Sequence, residues 1–241
     1  MTSLIAVILA HILAAFMVLV APWLGHLQYQ KALKRLQAGA LRVKSRLYRS
    51  LVAEQVVTTA LICGLWRFGG VPGARLGICA PRSWWWTAGL AVTLVGLLLR
   101  SALRMRPKAQ KVRAKLQNTI GALLPESVEE QQWFAAVSIG AGISEELAVR
   151  GFLFYYLTLY VPHLNNVEAA LLTSIFFGMA HVYQGWPAVV KTGIGGLILA
   201  TLYLMTGSLL LPMAVHAAND LQVPLIFWPE ITPSVAAQEG V

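Results

Sequence analysis

Charge is what this sequence has least of: Asp, Glu, Lys and Arg make up 12% of its 241 residues, against 57% hydrophobic residues. A soluble domain carries about 25% charged residues, so the chain reads as a multi-pass integral membrane protein. Cysteine is nearly missing. Cys63 lies in an apolar run and Cys79 in a Gly/Pro-containing loop, and with no CxxC pair there is no redox or thiolate-metal motif. Acids are absent from two stretches, 26–50 and 100–115, each holding seven of the 19 Lys and Arg. Five basic residues remain to face all ten acids, so the formal charge of +9 is concentrated in two juxtamembrane segments. That placement suits the positive-inside rule and anionic lipid headgroups, not a nucleic-acid face. No basic residue precedes the first apolar run, which is too long and wrongly flanked for a cleaved signal peptide. No internal repeat supports an inverted-repeat transporter.

What is present is apolar helix. Hydropathy predicts an all-α polytopic bundle of about seven membrane spans, near 4–24, 51–66, 84–99, 133–156, 167–181, 188–204 and 209–227. The second is weakened by Glu54 and Gln55, and the third opens on Trp84, Trp85 and Trp86, an interfacial belt. Residues 26–50 read as an amphipathic helix on the cytoplasmic surface. With both basic clusters cytoplasmic, the N-terminus faces out and the C-terminus in. Three regions are expected: N-terminal membrane helices over 1–130, a core over 131–228 and a disordered tail over 229–241.

Against this background one stretch stands out. GISEELAVRGFL, residues 142–153, puts Glu145, Glu146 and Arg150 inside an apolar run. Ionisable groups at membrane depth are costly and face a partner or a watered cavity. At roughly 100° per residue, Glu146 and Arg150 fall about 40° apart on a helix and can pair, while Glu145 points elsewhere. One carboxylate therefore needs a metal, a proton or a polar substrate; the alternative is a Glu–Arg pair that only locks helices. His181 ends span five in FFGMAHVY, and His216 lies in span seven, followed by Asn219 and by Asp220 one turn on. Three helices thus each carry a buried Glu, His or Asp. Two imidazoles and a carboxylate can hold a zinc ion with an open position for water, a second carboxylate serving as general base. The same groups can act without metal, Glu145 and His181 activating water and span seven stabilising the oxyanion. HExxH is absent, and the residues leave both mechanisms open.

EELAVRG fits EExxxR, Phe177 to His181 fits FxxxH, and His216 to Asp220 fits HxxxN/D, in that order. Over about 130–227 the chain resembles the CPBP family of intramembrane glutamic or metalloproteases, also called Abi, which includes CAAX proteases of the type II prenyl endopeptidase kind and bacteriocin-processing enzymes. The resemblance implies a helical membrane endopeptidase with its site in an intramembrane cavity, acting on a membrane-associated or lipidated peptide. It assigns Glu145 to activating water and His181 to holding water or metal. His216 and Asp220 would bind metal or stabilise the oxyanion, Asp220 standing where asparagine is more usual. Glu146, Arg150, Asn219 and Phe177 would support them. Any zinc would be held by Glu145, His181, His216 and Asp220. The expected partners are membrane lipids and the peptide substrate, with no nucleic acid, in the cytoplasmic membrane of a prokaryote. The rival readings are a non-catalytic immunity or regulatory protein that keeps this fold and, further off, a transporter using the charged groups as a relay.

Overall fold

The computed structural model describes residues 4–116 and 121–228; the tail expected to be disordered, 229–241, lies outside them. Among the described residues there is no strand, and the fold is a helical membrane bundle. Seven principal helices follow in order: α1 Leu4–Gln37, α2 Val43–Gly69, α3 Trp84–Leu116, α4 over residues 128–160, α5 Asn166–Met179, α6 Trp186–Thr206 and α7 Leu210–Asp220. A short α8, Gln222–Phe227, completes the described chain. Four of them, α1, α2, α3 and α6, are long and apolar enough to cross a membrane. The 14 residues of α5 and the 11 of α7 fall short of the roughly 20 that a bilayer core requires.

Helix limits follow local chemistry. The N–H of Gly70, at φ 67°, caps α2 on the Trp66 carbonyl, and Gly207, at φ 68°, caps α6 on Tyr203; both are left-handed positions that favour glycine. Ser127 accepts from the Glu130 N–H at the start of α4, with Glu129 and Glu130 against the positive end of the helix dipole. Asn165 and Glu168 form a capping box on α5.

Three sequence expectations change. Residues 26–50 are not one surface helix. Their first part extends α1 to Gln37, a turn with Gly39 and Arg42 at positive φ follows, and the rest opens α2. Leu, Gln, Lys and Ala carry α1 onward because nothing between His26 and Gln37 breaks a helix. The second basic segment likewise continues α3 to Leu116, through a 3-10 turn at Arg106–Lys108 around Pro107. The expected seventh span is two helices, because the ring of Pro224 conflicts with the carbonyl of residue 220 in a regular helix.

The two basic segments meet at one end of the bundle around the acidic turn before α4. Buried Lys44 pairs with Glu126 at 2.9 Å and donates to the Leu124 carbonyl at 2.8 Å. Arg49 pairs with Glu129 at 2.7 Å, and Arg113 lies 4.8 Å over the Phe227 ring. This basic end therefore gathers the C-terminal part of α1, the start of α2, the end of α3, the start of α4 and α8.

Close crossings hold the C-terminal half together. A Cβ on Gly142 of α4 would lie 2.7 Å from the Ala217 backbone nitrogen of α7, and one on Gly178 of α5 would lie 2.6 Å from the Val189 carbonyl of α6. Glycine here is a packing requirement, and Gly193 and Gly196 of α6 likewise face Ser174 and Arg150 closely. Gly178→Ala is expected to lower stability in detergent by about 1–3 kcal/mol through overpacking, read from thermal melts. Gly96→Ala is the control: nothing lies within 4 Å of its added Cβ, and alanine should be neutral or stabilising in a helix.

Candidate active site

The site is assembled from α4, α5, α6 and α7, with a buried part and a more open part. In the buried part, the Glu146 and Arg150 side chains are both fully buried. Arg150 Nη1 donates to Glu146 Oε1 at 2.8 Å, and Nη2 donates to the Gly196 carbonyl of α6 at 2.8 Å. The guanidinium carbon also stands 4.6 Å over the ring of Phe177 on α5, a cation–π contact strengthened by burial. Glu146 Oε1 accepts a second bond, from His216 Nδ1 of α7, again at 2.8 Å. Glu146 Oε2 and Arg150 Nε have no hydrogen-bond partner in the protein.

That bond fixes His216. A carboxylate already facing a guanidinium acts as an acceptor, so Nδ1 carries the proton and Nε2 points the other way. There it lies 3.6 Å from Asp220 Oδ2 and 3.9 Å from Glu145 Oε2. Both carboxylates are about one-third exposed, against a nearly buried imidazole, so they form the accessible part of the site. Asn219 is exposed and donates to Asp220 Oδ1 at 3.1 Å, orienting the carboxylate without reaching the imidazole.

His181 is fixed by the same logic. Its Nδ1 is 2.8 Å from the Phe177 carbonyl, which can only accept, so in the neutral ring Nε2 keeps the lone pair. The Phe177 ring separates the two imidazoles, with centroids 5.0 Å from His181 and 5.8 Å from His216, both edge-on. Glu145 lies within electrostatic range of both histidines and of Asp220.

The structure thus brings Glu145, Glu146, Arg150, Phe177, His216 and Asp220 into direct contact in one place, with His181 joined through Phe177 and Asn219 through Asp220. Sequence reasoning missed three features. Arg150 sits within a wide π-helical stretch, Leu147–Leu153, a distortion frequent at functional sites. The Gly196 carbonyl as an Arg150 acceptor has no sequence signal. Tyr183 stacks on His181 at 6.1 Å, tilted 26°, and meets Tyr29 of α1 at 5.3 Å. It stands in the α5–α6 connection, where burial pushes its hydroxyl up to about 12, so the phenol stays protonated. An aromatic two residues after a candidate histidine was the signal available.

Among the described residues, no three His, Cys, Asp or Glu side chains are grouped to hold a metal ion. Both Nδ1 atoms are engaged by protein acceptors, and only His216 presents Nε2 to two carboxylates. The anchored Nδ1 atoms leave each Nε2 free, as in a metal-ligating histidine, so the donor chemistry suits zinc although the described side chains are not drawn together around one point.

Such a site on such a bundle defines a class: polytopic helical membrane proteins with paired glutamates, an arginine and two histidines on neighbouring helices. A family model described as Type II CAAX prenyl endopeptidase Rce1-like matches residues 129–222. The match covers less than half of the chain, and over that segment the sequence is similar to the CPBP/CAAX protease family. No curated protein and no solved structure matches the chain.

Arg150→Ala is expected to cost about 3–5 kcal/mol, because it leaves Glu146 buried without its cation. Arg150→Lys should recover only part, since one ammonium does not reproduce the fork that reaches both Glu146 and Gly196. Thermal unfolding of the detergent-solubilised variants measures both.

Proposed function

We propose that the chain is an endopeptidase of the membrane that hydrolyses a peptide bond in a membrane-associated or lipidated, CAAX-like substrate. The observation that carries this reading is the two-sided use of His216: Nδ1 is anchored 2.8 Å from Glu146, while Nε2 faces Glu145 and Asp220 at 3.9 and 3.6 Å. A helix-locking ion pair requires Glu146 and Arg150 alone. It gives no reason for a second carboxylate pair gathered round an oriented imidazole in an accessible position.

In this mechanism Glu145 is the general base. Water lies between its carboxylate and His181 Nε2, and its oxygen attacks the scissile carbonyl as its proton passes to Glu145. The carbonyl π pair moves to oxygen, and the resulting oxyanion accepts from His216, which in its doubly protonated form donates from Nε2. Collapse of the tetrahedral intermediate expels the amine, which takes the proton held by Glu145. Asp220 balances the imidazolium charge and Asn219 orients Asp220. Glu146 and Arg150 hold His216 in register and do not touch the reacting atoms.

Glu145→Ala, His181→Ala and His216→Ala are each expected to lower cleavage of a farnesylated CAAX peptide by more than about 100-fold, the span assigned to acid–base groups and oxyanion donors. Thermal stability should stay near wild type for Glu145→Ala, whose side chain is partly exposed. Full turnover in Glu145→Ala removes it as the base and favours a non-catalytic relative of the fold.

No step is routed through a metal, so dialysis against a chelator is expected to leave turnover unchanged. Turnover that is lost and then restored by zinc, with metal content falling in His181→Ala and His216→Ala, would instead assign metal-bound water to Glu145, His181, His216 and Asp220.

A further inference from the structure

The seven cations between Arg100 and Lys115 have unequal surroundings. Arg113 turns inward, over Phe227 and onto the Pro125 carbonyl at 3.3 Å, with Glu126 at 3.9 Å. Arg100, Arg104, Lys108, Lys111 and Lys115 are all exposed and line one open groove of about 490 Å³ on α3. Among the described residues no acid pairs with any of the five. Like charges one turn apart on a helix repel by a few tenths of a kcal/mol per pair. Five of them in an arc of about 80° find no counter-charge among the described residues.

The groove has a second chemistry. Met105 and Val112 line it beside the charged stripe, and Leu97 heads that stripe about one turn before Arg100. One helix makes a concave wall here because Pro107 interrupts the regular turn and leaves a 3-10 segment at Arg106–Lys108. Depth follows from length. From the Trp84–Trp86 belt, about twenty residues at 1.5 Å each cross a bilayer core of about 30 Å, which brings Arg104 to the opposite headgroup layer. Arg100 is left one turn inside it, able to reach out along its long side chain. Leu97 then lies within the acyl region, and Lys108, Lys111 and Lys115 lie in the aqueous margin.

We propose that the concave face of α3 is a site for an anionic phospholipid. Arg100, Arg104 and Lys108 hold the phosphate, an acyl chain runs along Leu97, and Lys111 and Lys115 engage the outer headgroup. This differs from general attraction of a basic segment to a charged bilayer, because a cationic wall and an apolar wall meet at one place and one depth. In the other basic segment Lys44 and Arg49 are paired with acids, while Lys31, Lys34 and Arg35 are exposed on α1 and provide the comparison.

The test is native mass spectrometry of the full chain in a neutral detergent, titrated with phosphatidylglycerol. The variant Arg100→Gln/Arg104→Gln/Lys108→Gln is compared with the charge-matched Lys31→Gln/Lys34→Gln/Arg35→Gln on α1. Each cation near a headgroup contributes about fivefold in affinity, so the first triple should weaken binding more than tenfold, the second less than threefold. Lys111→Gln/Lys115→Gln should lie between them, and all these side chains are exposed enough for the helix content to stay unchanged. Phosphatidylcholine should bind at least tenfold more weakly, and millimolar inorganic phosphate should not displace the phosphatidylglycerol. Equal losses in the two triples, or equal binding of the two lipids, would reduce the groove to nonspecific charge and overturn the proposal. Displacement by inorganic phosphate would also overturn it, assigning the groove to a free anion.

Discussion

One oxygen atom organises the C-terminal half of this protein. Glu146 Oε1 accepts from Arg150 and from His216, both at 2.8 Å, in a place where neither Glu146 nor Arg150 meets solvent. Taking a carboxylate and a guanidinium out of water costs several kcal/mol per ion, and the attraction offsets this only when the remaining donors are satisfied. Here the second Arg150 nitrogen reaches the Gly196 carbonyl and the guanidinium face rests on Phe177. Each contact recruits a different helix: α6 through the carbonyl, α5 through the ring, α7 through the imidazole. The pair is weak evidence for net stability and much stronger evidence for a fixed arrangement. Its geometry holds only when four helices are in one register.

Small residues make that register possible. Helices in a bilayer gain little from burying apolar surface against one another, because lipid is equally apolar, so they associate where backbones can approach closely. Gly142 against Ala217, Gly178 against Gly193 and Gly196 against Arg150 are three such approaches. They bracket the site: Gly142 stands one turn before Glu146, Gly178 three residues before His181, and Gly196 supplies the carbonyl itself. The spacing of the chemistry in sequence, EExxxR, FxxxH and HxxxN/D, thus runs beside a spacing of glycines, and the two patterns fix one another.

That pairing explains which parts were legible. The Glu146–Arg150 pair and the shared face of His216 and Asp220 follow from the helical repeat, so the sequence could be read for them directly. The exclusion of Glu145 from the ion pair followed from the same 100° step, and it does turn toward His216 instead. FxxxH marked Phe177 as a supporting residue, but its central place between both imidazoles and the guanidinium was not legible, because helical spacing relates it to His181 alone. The π-helical stretch at Leu147–Leu153 packs against α2 and α5, and no residue type within it marks a wider turn in the sequence. Span limits failed for a simpler reason. Hydropathy marks where lipid can lie, while helices continue past it wherever nothing breaks them, as α1 and α3 do through their basic ends.

The accessible part of the site also has an electrostatic problem that its residues solve. Asp220 is the last residue of α7 and His181 follows the last turn of α5, so both stand at the negative ends of helix dipoles, where a cation is favoured and an anion is not. His181 suits that position whether neutral or charged. Asp220 does not, and its carboxylate is accordingly held by His216 Nε2 at 3.6 Å and Asn219 Nδ2 at 3.1 Å. With asparagine at 220 the dipole conflict would vanish, and so would one of the three carboxylates around His216. Aspartate therefore exchanges a local cost at the helix end for an imidazole better able to donate from Nε2. Both helix ends lie toward the basic end of the bundle, where Tyr29 of α1 reaches Tyr183 and α8 packs under Arg113.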